Sequence, residues 1–543
     1  MSKIIETGSD SRTKLLSGVK QLASAVVATL GPNGRNVVIA QQHGNLPQST
    51  KDGVTVAKTV TLKDPVENLG AQMVKQAAVQ TGDSAGDGTT TSTLLAKELI
   101  TEGMNHTNLS QKHNAVAIKR GMEKTAKEIV KHLKEMSTNI SSEDQIKQVA
   151  TISANNDEEV GNLIAASIEK VGLEGVVTVE ESKSYETTLE TVEGMQFDRG
   201  YKSPYFVTDN STMQAQLDEP YILLYDGKIT QVKELLPILE AVSQQNKSML
   251  IISEDIDGEA LAAMIVNKMR GILKCCAVKA PDFGERRTHI LEDIATLTGG
   301  TLISKQKGHR LDKITFDDLG TSRGVTIEKE RTTIVDGNGT EDTIKARLEE
   351  IKDQIDRAES NYAKEQLQNR LAKMAGGIAV INVGGFTETE MKERKDRVDD
   401  ALHATRAALD EGIVAGGGVA LLEARHKLKV ANSLICEGDE TIGAEILLNT
   451  IEKPFIQILR NAGIDKYHSI LANVEENFDG YNIKTGEYVD MIEEGIIDPT
   501  KVTRTALENA VSVAGTMLIT ECTIVDDPKD DKEVDPMSMM PGM

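Results

Sequence analysis

The two ends of this chain read as one kind of structure and its middle as another. Residues 11–30 place Leu15, Leu16, Val19, Leu22, Val26 and Val27 at helical spacing. Helix-like texture returns over 65–80, after Asp87, over 111–136, and again in the Ala/Leu-rich stretch 411–525. Between 193 and 378 the texture alternates: strand-like runs at 221–224, 249–252 and 274–278 are separated by helical runs at 231–243 and 259–271. Such alternation argues for a sheet flanked by helices. A helical beginning and end around an α/β middle predicts an insertion, with both ends forming one domain and the connections hinged near 133, 192, 378 and 410.

Composition narrows the kind of core. Aromatic residues are 3% of the 543, Trp is absent, and apolar residues make up 39%. The core is therefore expected to consist of aliphatic helices packed closely on small residues, in two to four domains. A net charge of −23 disfavours wrapping nucleic acid or lying on an anionic membrane. Cys275, Cys276, Cys436 and Cys522 show no CxxC or CxxH spacing, which reads as reduced thiols in a cytosol-like compartment. No secretory segment opens the chain and no run of about 18 apolar residues occurs, so the expected location is cytoplasmic, without a membrane span. The nine histidines form no metal-ligand pattern.

Smaller features complete the pass. A short helical pair ends at Gly172 and a strand follows over 175–180. The charged stretch 341–375 repeats apolar residues at steps of four and three (Ile344, Leu348, Ile351, Ile355), favouring a helical hairpin packed on its own domain over an intermolecular coiled coil. A strand over 377–383 and a helix over 386–410 lead into Gly416, Gly417 and Gly418. The tail after Asp526 is acidic and then Met-rich, and is expected to be disordered.

Chemistry concentrates at 82–93, where Gly86, Asp87 and Gly88 precede Thr89, Thr90, Thr91 and Ser92, and an apolar periodic run follows. A glycine turn feeding a helix N-terminus suits phosphate oxygens, and Asp87 suits a divalent cation accompanying them. A solvated Gly/Thr turn is the plain alternative. Three more polar glycine clusters lie in the terminal blocks: Thr29-Leu30-Gly31-Pro32, Lys51-Asp52-Gly53 and the triple glycine at 416–418. Each alone is weak. Together on one domain they can line a nucleotide site, although neither a P-loop nor a dinucleotide fingerprint is present.

These clusters, with Gly70-Ala-Gln-Met-Val-Lys75, Ala401-Leu-His-Ala-Thr-Arg-Ala407, Ala415-Gly-Gly-Gly-Val-Ala-Leu421 and Asp498-Pro-Thr-Lys-Val-Thr503, resemble the GroEL-type (group I) chaperonin family from about residue 10 to 525. The resemblance implies a multidomain fold. A mainly α equatorial domain is built from both chain ends (1–133 and 411–543). A small α/β intermediate domain covers 134–192 and 379–410, and an inserted α/β apical domain covers 193–378. It implies seven-membered rings, usually stacked as a double ring of fourteen, that capture non-native proteins. These are encapsulated under a GroES-type co-chaperonin as ATP is hydrolysed.

By the same resemblance, Asp87 coordinates Mg²⁺ at the phosphates, and Gly88, Thr89, Thr90 and Thr91 hold phosphate oxygens. Thr29, Leu30, Gly31 and Pro32 pack along the nucleotide, and Lys51 lies beside the phosphates. Gly417, Asp498 and the segment Asn482-Ile483-Lys484 face the base and ribose. Asp400 orients the attacking water, Asp52 helps position it, and K⁺ is expected as an activator. Tyr201, Tyr205, Phe206, Leu236, Leu239, Leu261, Ile265 and Val266 stand where the family exposes an apolar lip to substrates and to the lid.

Three departures stand out: Lys202 beside the lip, Lys484 where many members have Ala, and the lack of a Gly-Gly-Met tail. They keep open an alternative, a divergent chaperonin paralogue acting as a holdase or moonlighting interaction protein. His403 is read as a packed or capping residue, and Arg286-Arg287 as surface or salt-bridge chemistry.

Overall fold

The computed structural model describes residues 2–40, 47–109, 113–140, 142–154, 157–172, 175–182, 184–210, 212–358, 361–431, 436–477 and 479–527. The Met-rich end, 536–543, lies outside them. The chain divides into two compact units. The first comprises Met1–Ala166, Glu181–Thr187 and Val383–Met543; the second comprises Ser167–Glu180 and Thr188–Asn382.

Both chain ends share the first unit, as the insertion reading expects. Helices Gly8–Val27, Pro65–Ala85, Thr89–Leu109, Ala115–Met136 and Thr500–Leu518 bury Leu22, Leu95, Ile129 and Leu507 in one aliphatic cluster. Each fully buried side chain of this size contributes roughly 1.5–3 kcal/mol. The first two helices approach at backbone distance. A Cβ on Gly18 would sit 1.7 Å from the Glu67 carbonyl oxygen, and one on Gly70 would sit 2.1 Å from that of Leu15. Small residues therefore set the helix contacts of a core poor in aromatics. Strands Lys3–Thr7 and Cys522–Asp526 pair antiparallel, with Ile5 opposite Ile524. Helices Glu143–Ser153 and Glu388–Glu411, expected in the hinge segments, share a cluster through Val149, Ala404 and Ala408.

The turn expected to open at Gly82 is shorter than its sequence suggests. Helix Pro65–Ala85 continues through it because Thr81 and Ala85 lie on the buried face. It stops at Gly86, whose left-handed φ of 75° lets its N–H close on the Gly82 carbonyl.

The second unit is α/β. Its eight-stranded sheet runs Lys274–Lys279, Ser248–Ile256, Tyr221–Ile229, Gly320–Ile327, Thr332–Gly337, Gly194–Phe197. Leu302–Ser304 also pairs with Tyr221–Ile229, and Ala215–Asp218 with Gly320–Ile327. Tyr221–Ile229 is parallel to Ser248–Ile256 and Leu302–Ser304, and Ser248–Ile256 to Lys274–Lys279. The remaining pairings are antiparallel. Leu223, Leu250, Ile251 and Ala277 are wholly buried, as in strands covered on both faces. A separate sheet orders Val176–Glu181, Ile378–Val383 and Thr188–Val192.

The helix expected over 231–243 is broken, with a 3-10 turn at Val232–Glu234 and an α-helix at Leu236–Gln244. Pro237 has no N–H to give and is tolerated only in a first turn. The hairpin of Glu341–Arg357 and Asn361–Ala375 buries Ile344, Ile351 and Met374 in the sheet's own core, so it packs on its own unit. Among the described residues no helix is long and apolar enough to cross a membrane.

Candidate active site

Three of the four glycine clusters meet around the start of helix Thr89–Leu109. Its first intrahelical bond runs from the Ser92 N–H to the Gly88 carbonyl, 2.9 Å, so the amides of Thr89, Thr90 and Thr91 precede the ladder. The Thr29 hydroxyl lies 3.2 Å from the Thr90 hydroxyl and donates to the Val26 carbonyl. Asn461 fixes the Thr29–Pro32 turn from the other side, donating to the carbonyls of Val27 and Leu30. Asp52 caps helix Gly53–Thr59 by accepting from the amides of Val54 and Thr55 at 3.0 and 2.8 Å. Such a cap contributes about 1 kcal/mol. Gly53 is required there: a Cβ would meet the Thr90 hydroxyl at 2.3 Å.

The loop 86–88 also faces helix Glu388–Glu411. A Cβ on Gly86 would lie 2.1 Å from that of His403, so this helix touches the loop at backbone range. His403 itself is exposed. Asp400, one turn earlier, feels Asp52 and Asp87.

The fourth cluster enters through a strand pair. Val414 of Ile413–Ala415 is opposite Asp498 of Ile497–Pro499, and the Gly417 N–H bonds the Asp498 carboxylate. Met491 touches both Gly417 and Gly480. It thereby ties in the hairpin carrying Asn482, whose side chain accepts from the Lys484 N–H at 3.0 Å. Ile483 packs in the same small cluster as Met491, and Lys484 is exposed.

Like charges face each other here. Burial first, then Asp52, Asp87, Asp396 and Asp399, holds the Asp400 carboxyl well above the carboxylate range. Burial, opposed by the Gly88 amide at 2.5 Å and a bond to Ser153 but reinforced by Asp52, raises Asp87. Burial and Asp87 push Asp498 up to about 7. Burial and Asp52 push Asp396 to about 6, against the pull of Lys395. Burial and then Arg397 lower the Lys51 ammonium, with Glu393 opposing them. Arg397 is itself held by Asp157 at 2.9 Å and Glu393 at 2.5 Å.

This arrangement fits a polyanion carrying a divalent cation. Among the described residues no three His, Cys, Asp or Glu side chains converge closely enough to hold an ion alone. A cation at Asp87 would therefore complete its shell with ligand oxygens, while the helix start offers N–H groups and hydroxyls to the anion. The Ser92 hydroxyl is buried with no hydrogen-bond partner among the described residues.

The eight expected lip residues all lie in the second unit and divide by exposure. Tyr205, Leu236 and Val266 are 62%, 41% and 44% exposed, whereas Phe206 and Leu239 are buried at 0% and 8%. Tyr201, Leu261 and Ile265 are partly buried against the sheet core. Phe206 and Leu239 therefore anchor the surface rather than present it. On helix Leu236–Gln244 the inward face is Ile238, Leu239 and Val242. Lys202 is no bare charge, since its ammonium pairs with Asp255 at 2.6 Å. Arg287 pairs with Asp226 and Glu254, and Arg286 covers the Phe283 ring at 4.9 Å.

Sequence reasoning missed Asp396 and Ser153. Asp396 stands four residues before Asp400, so helical spacing alone places the two on one face. Nothing in the sequence marks Ser153 as a partner of Asp87.

An α/β unit inserted into a helical one, with glycine turns and acidic residues around a helix start, is a multidomain architecture consistent with a chaperonin. The TCP-1/cpn60 chaperonin family matches residues 22–528, and the chain belongs to that family. It is thus a protein-folding chaperonin with ATPase activity.

Proposed function

We propose that the chain is a group I chaperonin subunit that uses ATP hydrolysis to capture and encapsulate non-native proteins. The observation that carries this reading is the convergence of Asp52, Asp87, Asp400 and Asp498 on the start of helix Thr89–Leu109. Bound Mg²⁺-ATP supplies the phosphoanhydride to be cleaved and the cation that offsets its charge.

Asp87 would hold the cation, and Gly88, Thr89, Thr90 and Thr91 would hold phosphate oxygens. Thr29, Leu30, Gly31, Pro32 and Lys51 would flank the nucleotide. Gly417, Asp498, Asn482, Ile483 and Lys484 would line the base and ribose side. Asp400 orients a water and can take its proton at a carboxylate oxygen, because its buried, like-charged surroundings favour protonation. Asp52, already oriented by two amides, helps fix that water.

In this reading the division is equatorial (1–133 and 411–543), intermediate (134–192 and 379–410) and apical (193–378). The assembly is a seven-membered ring, stacked in pairs, with a GroES-type co-chaperonin, K⁺ activation and a cytoplasmic location. Tyr205, Leu236 and Val266 supply the exposed part of the lip. The Lys202–Asp255 pair removes one motive for the holdase alternative.

The test is Asp400→Ala. Single-turnover hydrolysis should collapse while equilibrium nucleotide binding survives. Unchanged turnover would remove Asp400 from its role, and refolding of a trapped substrate without ATP would overturn the driven cycle.

A further inference from the structure

The second unit carries a cleft of about 440 Å³ at the edge of its sheet, bounded by Lys247, Lys268, Lys274, Asp218, Leu273 and Cys275 among others. It lies at the amino ends of strands Ser248–Ile256 and Lys274–Lys279, beside the last turn of helix Gly258–Met269. Its charges are unevenly answered. Lys247 is paired with Glu219. Lys274 is exposed, and no ion pair reaches it among the described residues.

Lys268 is the unusual one. It is half-buried in a chain with 84 acidic side chains, yet no carboxylate lies within ion-pair distance among the described residues. Instead its ammonium donates to two backbone carbonyls, Tyr205 at 2.8 Å and Val207 at 2.7 Å. The acidic groups that act on it are the Cys275 and Cys276 thiols, while the Asp218 carboxylate, exposed on the same cleft, forms no ion pair with it among the described residues. Burial drives both thiols upward, Cys275 to about 12, so they stay protonated and supply no counter-charge. A half-buried cation without an anion is costly, and an ammonium has three donors, of which two are used among the described residues. Leu217, Leu273 and Cys275 supply the apolar part of the lining, beside the polar Thr208, Gln216, Asn246 and Ser248.

We propose that this cleft binds a small organic anion, a carboxylate on a short apolar stem, with Lys268 and Lys274 as its counter-ions and Leu217 and Leu273 against the stem. The same ammonium holds the carbonyls on either side of Phe206, so occupancy couples to the exposed Tyr205. An anion beside Lys268 offsets the cost of holding its charge half-buried and so keeps the ammonium seated between the two carbonyls. By linkage, whatever alters the Tyr205–Val207 backbone alters the anion's affinity equally. The site rests on this unit's own geometry and stands independently of the role given to the lip.

The experiment titrates the full-length protein by calorimetry with hexanoate, inorganic phosphate and hexylammonium at fixed ionic strength. Hydrogen exchange is followed at the Phe206 and Val207 amides, which bond the Ser203 and Pro204 carbonyls. Hexanoate should bind saturably, phosphate more weakly and hexylammonium not at all, and hexanoate should slow exchange at both amides. Lys268→Met keeps the stem and removes the charge; it should weaken hexanoate by roughly tenfold or more and abolish the added protection. Lys274→Met, on the exposed rim, should weaken binding by roughly twofold to fivefold without touching the Tyr205 segment. Absent hexanoate binding, or binding indifferent to both substitutions, overturns the site. Binding that leaves the two amides unchanged overturns the coupling.

Discussion

The two units treat buried carboxylates in opposite ways. Asp293 of the second unit is fully buried and saturated. Arg347 donates to it at 2.8 Å, Arg370 embraces it through two nitrogens, and these arginines come from the two helices of the hairpin. In the first unit, Asp396, Asp400 and Asp498 sit partly buried beside other carboxylates, and no guanidinium or ammonium forms an ion pair with them among the described residues. Removing a charge from water without a counter-ion is unfavourable. The first arrangement fastens a hairpin to a sheet unit. The second sets carboxyls beside one another without a counter-ion, which in the proposed reading a bound cation would supply, and strongly perturbed groups of this kind are candidates for working sites.

The sharpest break in that comparison comes from truncating one member of each set. Asp400→Ala should lower turnover by about 10²–10⁴-fold, measured under single-turnover conditions, with the unfolding midpoint unchanged or raised. Asp293→Ala should do the reverse. It strands two arginines and should cost about 3–5 kcal/mol, read from denaturant unfolding followed in the second unit, with nucleotide affinity preserved in the protein that remains folded. Equal destabilisation by both substitutions would erase the distinction.

Acidity separates the sets further. Asp396 titrates near 6 when folded, against about 3.9 for an unperturbed Asp. Between these values the folded state holds the extra proton, so its contribution to stability is fully present below about pH 4 and is lost as pH rises through 6. Asp396→Asn should accordingly stabilise the ligand-free protein by about 1 kcal/mol near pH 8, after allowance for solvent screening. Near pH 4 it should have no such effect. Urea midpoints at the two pH values give the answer, and stabilisation confined to the acid end would invert the assigned sign. Mg²⁺-nucleotide affinity should rise as pH increases, since Asp87, raised by burial, must shed its proton to hold the cation.

Much of this contrast was legible beforehand, but unevenly. Helical spacing at the ends and alternation in the middle exposed the insertion, because burying an apolar face imposes a period on the sequence. The glycine clusters were visible singly; that three meet at one helix start depends on contacts such as Thr29 with Thr90, which no local pattern encodes. Asp396 was hidden in a charged run that reads equally well as a solvated helix face. Phe206 and Leu239 are assigned to the lip by resemblance, where periodicity alone favours a core position; in the fold both are at most 8% exposed. Helix Pro65–Ala85 outran its expected end because Ala85 is buried and Gly82, unlike Gly86, does not adopt a left-handed φ.

The smallest effect tests the one charge that looked misplaced. Lys202 and Asp255 pair at 2.6 Å with side chains 28% and 24% exposed, intermediate between the sealed Asp293 cluster and a surface pair. The bond holds Asp255 below the carboxylate range despite the opposing effect of its burial. A depressed acid contributes stability above its unfolded pKa and loses it as pH falls through the folded one. Lys202→Met should therefore cost about 0.5–1 kcal/mol near neutrality, and less under acid conditions once Asp255 is protonated. If Lys202 instead acts by placing charge at the lip, the same substitution should tighten binding of an unfolded, acid-poor polypeptide while leaving the unfolding midpoint unmoved. A stability loss without a change in that binding assigns Lys202 to the fold of the second unit.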